Sequence, residues 1–314
     1  MILGIDFRAI YSSLSDQKAG NQKRIPVSSC LEVFFGYNRE GNLRLSFMSK
    51  NAPPIIKSTT ILCVVQGREN KDTYWTSFDL LNENLKEAYF SFCENMIESV
   101  IGVMDEHSGL NMLRRRFVTW KTLFHKASER DIPKEKIMGL FGELTVLKDI
   151  VAPKYGINEA IKAWGGPDSH SKDFTLKHTW YEIKTIGANS NSIHISSLTQ
   201  LSSELVGHLG IVRVETVSSE YNAKNSTVFD LINGILLMVT DDNAEELFIR
   251  KIQNMEMDVF NIDMKYRFIV KSVKLYKVDG GFPRITEETV PYPEISDVNY
   301  IINVPSISRF VEQE

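Results

Sequence analysis

The sequence predicts an α/β (α+β) protein, and three observations predict it. Residues 1 to about 80 carry short apolar–polar alternations broken by turn signals, which read as strands. Residues 81–151 carry apolar stripes at helical spacing. From residue 160 strand-like runs follow, then one more helical run and another strand. With the helix before them they give the order helix, strand, strand, strand, helix, strand. The expected organisation is a β-rich N-terminal accessory domain over 1–100, a mixed core over 101–220 and an α+β C-terminal extension over 221–314.

Each element has its own justification. Leu31–Tyr37 and Asn42–Met48 flank Asn38-Arg39-Glu40-Gly41, a hairpin signal. Ile61–Gln66 and Tyr74–Phe78 are further strands, separated from the hairpin by the breaker Ala52-Pro53-Pro54. Leu81–Val100 places apolar residues at 85, 89, 92, 93, 96, 97 and 100, a helical stripe. Leu110–Ala127 is a second helix. Pro133 suits the first turn of a third, with Asp131 near its cap and the stripe Ile137, Leu140, Phe141, Leu144, Leu147, Val151. A short strand then runs from Ala160 to Gly165-Gly166-Pro167, and Asp173–Lys177 and Trp180–Ile186 form a hairpin turning at His178-Thr179. Ser196–Leu205 reads as a helix, with Ser196 or Ser197 as its cap, and Leu209–Val217 as a strand. Helices at Val228–Val239 and Ala244–Asn254, then strands at Tyr266–Val270 and Val273–Val278, precede a Pro-rich tail.

Bulk composition narrows the function classes. The chain has 314 residues, a hydrophobic share of 43% and a charged share of 24%, as in an ordinary globular protein. No apolar run approaches the ~18 residues of a membrane span, and the start MILGIDFRAI lacks a leader pattern, so a cytoplasmic location without membrane association is expected. Cys30, Cys63 and Cys93 are odd in number and widely spaced, which fits neither a disulfide framework nor a zinc knuckle. The net charge of −4 argues against a strong free-standing nucleic-acid binder. It conceals a stretch of +5 over Ser108–Lys136 and one of −5 over Glu287–Glu314. The basic stretch, with Arg114, Arg115, Arg116 and Lys121, is either a guide for a phosphate backbone or a solvated helix face.

The sharpest chemical feature is Asp173 followed by Glu182-Ile183-Lys184. On a strand, Glu182 and Lys184 share a face. A two-residue turn at 178–179 pairs 175 with 182 and 173 with 184, so Asp173 joins them, and any loop with an even residue count preserves that parity. Two carboxylates and an ammonium on one patch suit Mg²⁺, which keeps waters and borrows phosphate oxygens, in metal-assisted phosphodiester hydrolysis. The alternative is an ordinary ion pair on an exposed strand. Gly139, Gly142 and Glu143 lie together off the apolar stripe of the preceding helix. Two glycines inside a helix point to close backbone approach, which would bring Glu143 to the same ion. His170, His178 and His194 have no ligand spacing and read as solvated, and Trp120 and Trp164 read as core.

Taken in order, GLFGEL (139–144), WGGP (164–167), Asp173-Phe174, YEIKT (181–185) and HISSLTQL (194–201) resemble the PD-(D/E)xK nuclease superfamily. Within it, the sequence looks most like a bacterial branch encoded in phage-defence and restriction-like gene clusters. GFPRIT (281–286) and Val298-Asn299-Tyr300 are similar to that branch as well. The resemblance implies a restriction-endonuclease-like αβββαβ core and Mg²⁺-dependent DNA cleavage, with Mn²⁺ able to substitute. Asp173 and Glu182 would hold the metal, with Glu143 as the helix acid some members use, and Lys184 would be the catalytic lysine. Gln200, on the helix after the active strand, would support the site. Asp168, in the literal Pro-Asp of 167–168, is the rival of Asp173. The implied partners are DNA, other defence-system proteins and, if one site per chain cuts both strands, a second copy in a homodimer. A non-catalytic subunit that keeps the fold and binds DNA or partners is the competing reading, and a nuclease silent without its partners is a third.

Overall fold

The computed structural model describes residues 7–14, 20–124, 133–166, 172–217, 226–255, 266–290, 292, 294–295 and 297–312. The chain is α+β and divides into two compact units, Met1–His125 and Lys126–Glu314. Among the described residues no helix is long and apolar enough to cross a membrane.

The first unit opens with α1 (Phe7–Leu14) and builds a five-stranded antiparallel sheet. Its strands are β1 (Gln22–Ile25), β2 (Glu32–Tyr37), β3 (Leu43–Ser49), β4 (Leu62–Asn70) and β5 (Thr73–Leu80), in the order β1-β2-β3-β5-β4. The expected hairpin forms because the Asn38 side-chain oxygen accepts the Glu40 and Asn42 amides while Gly41 adopts a φ of +86°. Helices α2 (Lys86–Glu98) and α3 (Glu106–Phe124) complete the unit. The Phe78 ring meets Phe92 and Phe117, and Phe92 meets the fully buried Trp120. Arg44 pairs with the buried Asp79 through two bonds of 2.5 and 2.6 Å. The short β1 shows no alternation a sequence reading would find, since its first three residues are all exposed. On α3, Arg114 and Arg115 are exposed and Arg116 and Lys121 half-buried.

The second unit starts with α4 (Lys134–Val146), which runs through a π-type turn (Leu147–Val151) into α5 (Ala152–Tyr155). Asp131, the expected cap, lies outside the described residues. The strand expected near 160 is instead α6 (Ile157–Ala163). Residues 157, 160, 161 and 164 are apolar at helical spacing, and a short apolar run does not by itself separate helix from strand. Then come β6 (Phe174–Thr175), β7 (Trp180–Gly187), β8 (Ser192–Ile195) and β9 (Gly207–Val217). Helices α7 (Val228–Met238) and α8 (Asp242–Asn254) fall as expected. The two strands expected at 266–278 are one, β10 (Arg267–Val278), kinked by a bulge between Val270 and Ser272. Finally β11 (Tyr300–Asn303) pairs with β8.

The main sheet has the order β10-β9-β7-β6, with β7 parallel to β9 and the other pairs antiparallel. Thus β10, expected in a C-terminal extension, hydrogen-bonds into the sheet that carries Glu182 and Lys184. Trp180 and Ile186 of β7 pack in a core with Ile193, Ile195, Leu201 and Leu209. On the opposite face of β7, α4 comes so close that a Cβ on Gly142 would overlap the Thr185 hydroxyl. The close approach expected from the two glycines holds for Gly142 alone, because Gly139 faces open space.

The helix expected at Ser196–Leu205 is absent, and residues 198–201 form a turn. Serine and threonine hydroxyls compete for the backbone there. The Ser203 hydroxyl accepts the Leu205 amide at 3.1 Å, while the Ser197 hydroxyl, an expected cap, pairs with the Thr199 hydroxyl at 3.0 Å. The αβββαβ order therefore loses its second helix, and Gln200 sits on a turn.

Candidate active site

The parity of the β6–β7 hairpin builds the site. The Leu176 amide donates to the Thr179 carbonyl, so the turn centres on residues 177–178 and not 178–179. Phe174 pairs with Tyr181 and Thr175 with Trp180. One step further in this register, Asp173 stands opposite Glu182, two residues from the expected partner Lys184. An even shift keeps Asp173 on the same face as both. β6 starts only at Phe174, and there a carboxylate takes the ladder's place: the Ile183 amide donates to Asp173 Oδ2 at 2.6 Å.

Glu182 is 3% exposed, and its Oε1 lies 2.9 Å from Lys184 Nζ. Lys184 Nζ in turn donates to Gln200 Oε1 at 3.1 Å, and the Ser196 amide donates to the same oxygen at 2.9 Å. Without a helix, Gln200 still reaches the lysine. Glu143, on α4, accepts from Trp164 Nε1 at 2.9 Å. It shares the electrostatic neighbourhood of Asp173 and Glu182 but no hydrogen bond to either is found among the described contacts. Asp168 and His170 lie outside the described residues, and His178 and His194 are exposed. Arg114, Arg115, Arg116 and Lys121 belong to the first unit.

Three residues escaped the sequence reading in their roles. Trp164 is buried as expected, yet its indole also holds Glu143. Lys172, 8% exposed, donates to the carbonyls of Thr199 and Gln200. Arg284 Nη1 donates to the Leu201 carbonyl. The only sequence signal for Lys172 was its position beside Asp173. Arg284 stood inside GFPRIT with no role attached.

The electrostatics set these acids apart from surface carboxylates. Burial pushes Glu143 up to about 8, reinforced by Asp173 and Glu182 against the Trp164 hydrogen bond and Lys184. Glu182 rises to about 7, chiefly by burial and then by Asp173, against Lys184. Burial also raises Asp173, opposed by the Ile183 amide and by Lys184 and Lys172. Burial, with help from Arg284, pulls Lys172 down to about 8 against Glu182 and Asp173. Crowded carboxylates that resist ionisation are a donor set a divalent cation would relieve. Among the described residues no three acidic, histidine or cysteine side chains already form a group that could hold a metal ion. Mg²⁺ does not require one: one or two carboxylates with open positions suffice, and Asp173 and Glu182 fit that demand.

The raised Glu143 has a consequence for stability. Its protonated form is favoured in the fold, so this contribution is fully present below the ordinary value of 4.5 and is lost as pH rises to about 8. In metal-free buffer Glu143→Gln, which keeps an oxygen for the Trp164 indole, melts a few degrees above the native chain at pH 8.5. The gain vanishes by pH 4.5. A difference independent of pH, read by calorimetry, removes Glu143 from the buried acid set.

Fold and site together define a class: an α+β sheet protein with an Asp opposite a Glu-x-Lys strand, a helix acid behind them and a glutamine on the lysine. A family model described as "Putative PD-(D/E)XK family member, (DUF4420)" matches residues 7–305, and the chain belongs to that family. No curated protein and no solved structure matches the chain.

Proposed function

We propose that the protein is a Mg²⁺-dependent deoxyribonuclease that hydrolyses DNA phosphodiester bonds as part of a prokaryotic anti-phage defence or restriction system. The observation that carries this reading is the bonded chain from the buried Glu182 through Lys184 to Gln200, set beside Asp173. Family membership supports the nuclease class, and the resemblance to defence-encoded relatives supports the setting.

Asp173 and Glu182 would hold the ion, with Glu143 as the third acid, and Mn²⁺ would substitute. Bound there, the ion would neutralise phosphate charge and lower the pKa of a coordinated water. Lys184 stands on the same face with Nζ held by Glu182 and Gln200, placed to orient the attacking water or to stabilise charge developing on a phosphoryl oxygen. Gln200 keeps the ammonium from turning toward solvent. Arg114, Arg115, Arg116 and Lys121 are the proposed contacts to the DNA backbone. With a net charge of −4, partner proteins or a second copy would deliver the site to its substrate.

A second reading, a non-catalytic subunit that binds DNA or partners, draws on one observation: Lys184 is already engaged by two side chains and no ready-made metal cage is present among the described residues. Incubation of supercoiled plasmid with Mg²⁺, Mn²⁺ or EDTA separates the two. Nicking or linearisation with either metal and none with EDTA is the expected result. Retained DNA binding with no turnover in either metal favours the subunit and overturns the nuclease.

A further inference from the structure

The turn after β8 is built by cations. Lys172 Nζ donates to the Thr199 carbonyl and, at 2.7 Å, to that of Gln200. Arg284 Nη1 donates to the Leu201 carbonyl at 2.5 Å. Three successive carbonyls thus accept from two side-chain cations, that of Thr199 also accepting the Ser202 amide at 3.3 Å, where the expected helix would have supplied amides four residues on. The Lys172 ammonium also sits 4.5 Å from the centre of the Trp180 ring, a cation–π contact that helps hold a buried charge. Leu198 and Leu201 are buried and seat the turn from below.

The consequence falls on Gln200. Glutamine has much rotamer freedom to lose, so its oxygen stays between the Ser196 amide and Lys184 only if its backbone is pinned. Lys172 comes from the residue before Asp173 and Arg284 from far along the chain, so two separate segments converge on one turn.

We propose that Lys172 and Arg284 are positioning residues of the candidate site: they clamp the carbonyls of 199–201 and so fix Gln200 against Lys184. The clamp stands on geometry, and its effect on turnover rests on the nuclease reading. Hydrogen exchange of the Ser196 amide reports the clamp without any need for activity. In Arg284→Met and Lys172→Met that amide exchanges at least about tenfold faster, the worth of one hydrogen bond to a charged group, and matches Gln200→Ala. Amides of β7 and β9 keep their native rates, and Arg284→Lys restores most of the protection. In plasmid cleavage kcat falls at least about tenfold while KM stays within about twofold. If the buried Lys172→Met does not fold, Arg284→Met decides. Native exchange at Ser196 in the Met variants overturns the proposal. So does faster exchange spread over the whole sheet, or a loosened turn with unchanged kcat, since either marks a purely structural pair. A native chain that cleaves nothing refutes the nuclease reading, and the exchange result still decides the clamp.

Discussion

Asp173→Asn and Lys184→Met each slow metal-dependent plasmid cleavage on the order of 10²–10³-fold, the loss expected when one electrostatic contributor to a phosphoryl transition state is removed. The two variants fail for different reasons. Asparagine retains an oxygen for the Ile183 amide, so the hairpin stands while the site loses a negative charge. Mn²⁺ binding, followed by loss of the free-ion paramagnetic signal, therefore weakens in Asp173→Asn. Methionine keeps the length of Lys184 but removes the ammonium that bridges Glu182 and Gln200. Glu182 then loses its partner charge, so Lys184→Met binds Mn²⁺ at least as well as the native chain while turning over slowly. If both variants cleave at the native rate, the site lies elsewhere. If Asp173→Asn alone does, the acid at 168 becomes the candidate.

Gly142→Val destabilises the second unit by about 2–3 kcal/mol, as overpacking in a tight interior does. For a unit of this size that lowers the melting temperature by roughly 5–10 °C. The new side chain would have to enter the space of the Thr185 hydroxyl and Cβ, so the helix or the strand must shift to admit it. The gain in helix propensity on leaving glycine is at most about 1 kcal/mol, so the clash wins. Gly139→Ala, three residues earlier on the same helix, has the opposite sign. It meets open space and gains about 0.5–1 kcal/mol. Adding Thr185→Ala to Gly142→Val recovers at least half the loss, because it empties the contested space and removes a buried hydroxyl that makes no hydrogen bond among the described residues. A Gly142→Val chain that melts like the native one contradicts the helix–strand approach that brings Glu143 beside the site.

The features legible in the sequence were those written in local periodicity. The Asn38–Gly41 hairpin, the α4 stripe and the same-face placement of Asp173, Glu182 and Lys184 follow from the period of a strand or helix and from turn chemistry. Parity proved more robust than register: the hairpin shifted by two residues without moving a side chain to the wrong face. What stayed hidden depends on distant partners. The carbonyls of residues 199–201 could have closed a helix, but Lys172 and Arg284 claim them, and nothing within the segment announces that competition. Trp164 looked like core because it is core, and its second role as donor to Glu143 needs the fold to be visible. The single strand β10 read as two because its bulge interrupts the alternation.

One detail of the hairpin reaches beyond chemistry. Where β6 gives out, β7 would present an open main-chain donor at Ile183, a place where a strand from another molecule can add. An ionisable carboxylate already occupies that docking position. With its acceptor already supplied from within the chain, that donor is closed to an incoming strand, which blunts edge-to-edge aggregation. Asp173 would thus guard the margin of its own sheet against self-association, and a truncation to alanine reopens that donor. Asparagine, which still fills the acceptor position, is for that reason the better choice for trapping an uncleaved substrate complex.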